Sequence, residues 1–175
     1  MEERARTCYA CHGENGISGL AEIPSLGGQP SFFLMTQLFL LREGRRGGAP
    51  MIEVAKSFSD DDLRAWSEFF SRLPPPPGAG APDDPPHFAR AEAIARRGHC
   101  GVCHNPDFSG REQMPRLANQ REDYLLKAMR EFRSGARLGY GAAMTAELFG
   151  MSDQDLADLA YYFANQPRRN SASGR

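Results

Sequence analysis

The sequence predicts an all-α protein made of two tandem domains that resemble each other. Sequence features recur in the same order at an offset of 91 to 93 residues, and apolar residues within each copy follow helical spacing. Between the copies lies a proline-rich segment, residues 74–86, which cannot form a helix or a central strand because proline lacks an amide donor. We therefore expect a first domain over residues 1–73 and a second over residues 87–175, packed about an approximate twofold axis.

Composition limits the classes of function. At 175 residues the chain is long enough for two small domains, and its hydrophobic content of 41% is ordinary for a soluble protein. No apolar run approaches the roughly 18 residues that a membrane-spanning helix needs. A formal net charge of −1 excludes a strongly basic nucleic-acid binder. We expect a soluble monomer or weak dimer with no membrane span and no nucleic-acid partner.

The first expected helix differs between the copies. In the second copy, a helix over about Pro86–Arg97 leads towards Cys100 with apolar residues at helical spacing. Only seven residues precede Cys8 in the first copy, so its counterpart is expected to be nearly absent. We interpret this difference as truncation of the chain, which would also explain why no signal peptide is recognisable.

Two further helices are expected in each copy. A middle helix is predicted at about residues 31–43 and again at 122–134. A final helix is predicted to begin after Ser59 and after Ser152. Both serines suit the N-cap position, and an aspartate follows each of them three residues later, as in a capping box.

Two Cys-x-x-Cys-His pentads contain every cysteine in the chain. This is the attachment signature of a c-type haem, in which two thiols form thioether bonds and the adjacent histidine ligates the iron. A pair of redox dithiols or one four-cysteine zinc site would also use four cysteines, but neither explains the histidine that follows both times. The predicted attachment and ligand residues are Cys8, Cys11 and His12 in the first copy and Cys100, Cys103 and His104 in the second.

The repeat register selects two of the seven methionines. When the two copies are aligned, Met51 and Met144 are the only pair of methionines at equivalent positions. Both lie in segments rich in glycine and alanine, which we expect to be loops that can approach a haem face closely. We predict that their sulfur atoms occupy the sixth position on each iron; the alternative is that they are ordinary core methionines. The other methionines align with a different residue type or with nothing; they are Met1, Met35, Met114, Met129 and Met151.

Four arginines also recur between the copies, between the middle helix and the methionine segment. A guanidinium group can neutralise a haem propionate with two parallel hydrogen bonds. The alternative is a solvated helix end, where cations are favoured by the helix dipole. The predicted propionate contacts are Arg42 and Arg46 in the first copy and Arg133 and Arg137 in the second.

Together, the pentad, a proline with leucine two residues later, the methionine segment and the serine-capped final helix resemble class I cytochrome c. Two such domains joined by a proline-rich segment are similar to the dihaem cytochrome c4 family, over nearly the whole chain. The resemblance implies that each domain folds around a covalently bound haem c. It also implies that the carbonyl groups of Pro24 and Pro115 accept the Nδ1 protons of His12 and His104.

The sequence and this resemblance lead to a functional hypothesis. We expect a periplasmic dihaem electron carrier, not an enzyme, that passes single electrons from a quinol-oxidising bc-type complex or a dehydrogenase to a cbb-type terminal oxidase. The periplasm follows from the chemistry of covalent haem attachment. If electrons pass between the haems of one chain, the haem edges must approach each other at the domain interface.

The alternative is a cytochrome subunit of a dehydrogenase, or a dihaem enzyme of the peroxidase or thiosulfate dehydrogenase type. A peroxidase needs one iron with a displaceable ligand, and the matched Met51 and Met144 argue against that. A thiosulfate dehydrogenase would place a cysteine opposite one haem, and the pentads leave no cysteine for it.

Overall fold

The computed structural model describes residues 2–137 and 142–167. Within these ranges the regular secondary structure is helical, apart from two isolated bridges, which confirms the predicted fold class. No helix in these ranges is long and apolar enough to cross a membrane. The first domain contains α1 (Glu2–His12), α2 (Ser31–Arg42), α3 (Ala49–Ala55) and α4 (Asp60–Arg72). The second contains α5 (Pro85–Arg97), α6 (Cys100–His104), α7 (Glu122–Arg133), α8 (Ala142–Leu148) and α9 (Asp153–Ala164).

The first helix of the chain is shorter than the equivalent part of the second copy. The residues described before Cys8 are helical, and α1 continues without a break through the pentad. In the second copy, His99 adopts a left-handed conformation (φ 49°) and separates α5 from α6. Acidic residues in the first turn favour α1, and its Ala5 is fully buried in the core of the first domain. Helix α1 therefore corresponds to α6 together with the last turn of α5.

The capping boxes are present as predicted. In α4 the Ser59 hydroxyl accepts a hydrogen bond from the Asp62 amide (3.1 Å), and the Asp62 carboxylate accepts one from the Ser59 amide (3.1 Å). Ser152 and Asp155 make the same reciprocal pair at the start of α9, at 2.9 and 3.1 Å. An aspartate three residues after the serine thus completes the box in both copies.

The two methionine segments were expected to be loops. In the structure they form short helices. Met51 is the third residue of α3, and Met144 is the third residue of α8. Pro50 lies in the first turn of α3, where its missing amide proton costs no hydrogen bond. Alanine, methionine and glutamate in both segments favour a helix once it has started. Residues 138–141, the first part of the second segment, lie outside the described residues.

Matching contacts join the two domains. The Gln120 side chain accepts a hydrogen bond from the Ser25 amide and donates one to the Ser25 carbonyl, both at 2.8 Å. The Gln29 side chain does the same with the backbone of Arg116, both at 3.0 Å. Gln29 corresponds to Gln120 in the repeat, and Ser25 corresponds to Arg116. The reciprocal pairs therefore form an interface with approximate twofold symmetry.

The linker is attached to both domains. Gly28 has a positive φ of 67°, and a Cβ atom there would lie 2.7 Å from Pro75, so this close contact requires glycine. Further along, the Ala79 amide donates a hydrogen bond to the Gln166 carbonyl (3.0 Å). Helix α5 begins at Pro85, inside the segment predicted as linker. The linker thus contacts the first domain at Pro75 and the second at Ala79.

Candidate haem sites

Each pentad lies at the end of a helix, at matching places in the two domains. The first cysteine of each, Cys8 or Cys100, is half-buried, and the second, Cys11 or Cys103, is exposed. The chain turns away directly after the histidine, because Gly13 (φ 76°) and its counterpart Asn105 (φ 70°) adopt positive φ angles. Both thiols therefore lie on the last helical turn before the histidine.

The two histidines have the same environment. The side chains of His12 and His104 are buried, and their Nδ1 protons are donated to the carbonyl groups of Pro24 and Pro115, both at 2.8 Å. This is the contact that the family resemblance implies. Burial lowers the pKa of both imidazoles, although the carbonyl acts in the opposite direction. The neutral ring keeps a lone pair on Nε2, which is the form that ligates a metal.

A haem iron fits the second site on independent grounds. His104 Nε2 is buried, and within the described part of the chain it has no hydrogen-bond partner. A buried polar atom without a partner is costly, and ligation of iron would satisfy this one. The haem, when bound, supplies reversible one-electron chemistry. This chain's residues would hold it through the thiols of each pentad and fix the histidine ring through the proline carbonyl.

The alternative uses of the cysteines do not agree with the structure. Burial raises the pKa of Cys8, and it raises the pKa of Cys100 to about 11. A redox dithiol needs the opposite shift, towards the thiolate. Among the residues that the structure describes, no three cysteine, histidine or acidic side chains group together as a metal site would require. Neither a redox dithiol nor a four-cysteine zinc site is therefore supported.

Met51 and Met144 are partly buried at equivalent positions, and Met144 packs against the core of the second domain. Partial burial does not separate the methionines, because Met35, Met114 and Met151 are partly buried as well. Met35 lines a surface groove between α2 and α4. Met129 is a core residue of α7. Ligation of iron by Met51 and Met144 stays a prediction.

Arg42 and Arg133 make equivalent ion pairs in the two copies. The Arg42 guanidinium donates hydrogen bonds to the Phe58 carbonyl (3.2 Å) and to Asp60 (2.8 Å). Arg133 makes the equivalent bonds to the Met151 carbonyl and to Asp153. Each arginine ties the middle helix to the start of the final helix. The contact of this pair with a haem propionate stays a prediction.

Arg46 and Arg137 converge at the domain interface. Their Nη2 groups donate hydrogen bonds to the hydroxyl group of Tyr124, at 3.2 and 3.0 Å. Arg46 Nε is buried and has no partner among the described residues. This free donor is consistent with the predicted propionate contact for the pair, which stays a prediction.

Arg116 is a candidate haem-site residue that was not predicted from the sequence. Its Nε is buried and has no partner within residues 2–137 and 142–167. Burial lowers the pKa of its guanidinium, although the charge of Asp107 acts in the opposite direction. Its counterpart in the first copy is Ser25, so a search for arginines that recur in the repeat could not find it. The sequence did show that Arg116 directly follows Pro115, whose carbonyl bonds to the predicted iron ligand His104.

Comparison with known proteins gives the same assignment. A family model described as Cytochrome c matches residues 88–167. Cytochrome c4 of Azotobacter vinelandii is 31% identical over 179 residues, covering 91% of this chain and 84% of that protein. A thiosulfate dehydrogenase electron acceptor of Thiomonas intermedia is 32% identical over 177 residues, covering 93% of this chain and 80% of that protein.

A solved structure agrees with the fold. The crystal structure of reduced recombinant cytochrome c4 from Pseudomonas stutzeri aligns with a TM-score of 0.84 at 26% identity, covering 94% of this chain and 96% of that one. The chain thus belongs to the cytochrome c4 family of dihaem electron-transfer proteins, which carry two covalently bound haem c groups.

Proposed function

We propose that this protein is a periplasmic carrier of single electrons that receives them from a quinol-oxidising bc-type complex or a dehydrogenase and delivers them to a cbb-type terminal oxidase. The main observation is the equivalence of the two sites. His12 and His104 are both buried, both bond to a proline carbonyl at 2.8 Å, and burial lowers the pKa of both. Two closed, similar irons suit electron storage and exchange better than chemistry on a bound substrate.

The predicted set of iron ligands agrees with the same proposal. With His12 and Met51 on one iron and His104 and Met144 on the other, neither iron has a position open to a substrate. A thioether ligand favours the reduced state and raises the reduction potential. Such a potential suits a carrier that accepts electrons after quinol oxidation and donates them to an oxidase. The periplasmic location is supported by the chemistry of covalent haem attachment.

A second candidate donor comes from one relative. The Thiomonas intermedia protein is named as the electron acceptor of a thiosulfate dehydrogenase. This chain could fill the same role, as the acceptor of such an enzyme and not as the enzyme itself. The two candidates differ only in the donor, so one kinetic experiment can compare them.

The experiment mixes the oxidised holoprotein with each donor and follows haem reduction by stopped-flow absorbance. One donor is a purified bc-type complex with quinol, and the other is a thiosulfate dehydrogenase with thiosulfate. Oxidation of the reduced protein by membranes containing a cbb-type oxidase is measured in parallel. We expect rapid, complete reduction by the physiological donor and oxidation by those membranes. Failure to exchange electrons with either donor or with the oxidase would contradict the proposal. Cell fractionation tests the location, and holoprotein confined to the cytoplasm would contradict it.

A further inference from the structure

The domain interface combines matched contacts with contacts that occur on one side only, and one of these involves the middle helices. The glutamine side chains on the two sides bond reciprocally to the facing backbones. In the middle helices, however, Phe33 of α2 corresponds to Tyr124 of α7. Phe33 packs against the core of the first domain and has no hydroxyl group. The hydroxyl group of Tyr124 is therefore a polar group that the duplication does not match.

This hydroxyl group joins one cation from each domain. Arg46 of the first domain and Arg137 of the second, which are repeat counterparts, both donate to it, at 3.2 and 3.0 Å. Arg46 also bonds to Gln37 (2.6 Å), and Arg137 to Glu131 (2.7 Å). The Arg137 side chain is only 6% exposed, so this bonding is shielded from water. One oxygen atom thus holds two guanidinium groups that would otherwise repel each other.

The charges around Tyr124 agree with this arrangement. Burial alone would raise the pKa of the phenol, but the charges and hydrogen bonds of Arg46 and Arg137 outweigh burial and lower it. Lys127 on the same helix and Glu131 are the other charged groups in this surrounding. Among the described residues, Glu131 is bonded to Arg137 and Glu22 to Lys127, while the Tyr124 oxygen is shared by the two guanidinium groups. Hydrogen bonds between charged donors and a shielded acceptor are among the stronger ones in proteins.

We propose that Tyr124 is a positioning residue for electron exchange between the two haem domains, because it ties Arg46 of one domain to Arg137 of the other. The tie fixes the orientation of the domains and holds the two guanidinium charges at the junction. The proposal deepens the proposed function, since it assumes that electrons pass between the haems within one chain. Transfer between redox centres falls steeply with their separation, so a looser interface would slow it.

The test compares two variants of the holoprotein. Tyr124→Phe removes only the hydroxyl group and restores the residue found at the matching position 33. Lys127→Ala is the control: Lys127 also crosses the interface, to Glu22 at 2.9 Å, but both side chains are well exposed. An exposed ion pair contributes little to the stability of an interface. Photochemical reduction of one haem without any partner protein, followed by absorbance, measures the internal transfer rate.

We expect the internal rate to fall at least threefold in Tyr124→Phe and by less than half of its value in Lys127→Ala. The separation between the two reduction potentials should also change in Tyr124→Phe, because the arginine charges are no longer held in place. Amide exchange at Ser25 and Arg116, whose amides bond across the interface, should accelerate in the same variant. An unchanged rate and unchanged potentials would overturn the proposal.

A third variant tests whether Tyr124 acts through Arg46. If it does, Arg46→Gln and the double variant Arg46→Gln/Tyr124→Phe should slow transfer to about the same extent. If the double variant slows transfer by the product of the two single-variant factors, the proposal is overturned. Because these measurements use no donor or acceptor protein, they are independent of the partner experiment. A wild-type protein that transfers internally but exchanges with no partner would contradict the proposed function and leave the role of Tyr124 standing.

Discussion

The two domains share the residues predicted to hold the haem and differ in the hydrophobic cores that stabilise the fold. The pentad, the histidine–proline hydrogen bond, the methionine helix and the capping box are repeated closely. Among the described residues, the first domain has 8 buried hydrophobic side chains and the second has 13. The second core forms one continuous cluster, whereas only four buried residues of the first domain join in one. The two copies thus keep the same site residues, whereas the hydrophobic core contributes more to the second domain than to the first.

The middle helices show the same contrast on the surface. Helix α2 is mostly apolar, and it leaves Phe32 and Phe39 exposed, at 44% and 39%. At the matching positions, α7 carries Asp123 and Arg130. Helix α5 gives the second domain a long helix packed on α9, which α1 replaces only in part. We therefore expect the first domain to depend more on its haem.

The largest effect should come from removing the haem attachment of one domain. Domains of this size are marginally stable without a cofactor, and the first has the smaller core. The double variant Cys8→Ala/Cys11→Ala should lose most of the helical signal of residues 2–72, measured by circular dichroism with amide exchange. The matched variant Cys100→Ala/Cys103→Ala should keep slower exchange in α5 and α9. Equal loss in both variants would show that core size does not decide the dependence on haem.

Replacement of the methionine ligands should affect one haem at a time. Met51→Ala and Met144→Ala should each remove about half of the weak long-wavelength band that sulfur ligation gives to ferric haem, because each leaves one iron without its thioether. The reduction potential of that haem should fall. Met35→Ala and Met129→Ala are the controls, since neither residue has a methionine counterpart in the repeat. An intact band in Met51→Ala or Met144→Ala would refute the ligand assignment.

Truncation of equivalent core leucines should reveal the unequal cores. Leu156 is completely buried, whereas Leu63 borders the surface groove between α2 and α4. A buried leucine-to-alanine change costs about 2–5 kcal/mol, with the smaller costs where the cavity can collapse or open to solvent. We expect Leu156→Ala to lie in the upper part of that range and Leu63→Ala in the lower part, measured by urea unfolding of the holoprotein. Leu20→Ala, at an exposed site, should cost under about 0.5 kcal/mol. If Leu63→Ala lowers the free energy of unfolding more than Leu156→Ala does, the first domain has the better-packed core and the comparison is wrong.

The smallest effect concerns the capping boxes. Hydrogen bonds from Arg4, and then from Ser59, lower the pKa of Asp62 from 3.8 to about 2. A depressed folded-state pKa stabilises the protein at pH values above 3.8, and this contribution is lost as the pH falls towards 2. Arg4→Gln should therefore raise the titration midpoint of Asp62, followed by NMR in the reduced protein. The midpoint of Asp155, whose pKa is lowered chiefly by Ser152, should not move. A parallel shift at Asp155 would point to a global effect of the substitution.

Local features could be predicted from the sequence, and contacts between domains could not. The pentads, the capping boxes and the matched methionines depend on residue types at short, fixed spacing. Helices α3 and α8 were missed because glycines just before Met51 and Met144 are typical of loops, although the residues that follow favour a helix. The repeat also could not separate Arg42 from Arg46, since both recur. Only the folded chain shows that Arg42 bonds to Asp60 while Arg46 reaches Tyr124.

The visible spectrum of the purified holoprotein in both redox states, combined with haem quantification, tests the central claim most directly. The claim is that one chain carries two equivalent, six-coordinate electron-transfer sites. We predict two covalent haems per chain, both low-spin in the ferric and the ferrous state, with the sulfur-ligation band present in the ferric protein. Full reduction should take up two electrons per chain. A single haem, or high-spin iron at either site, would contradict the account.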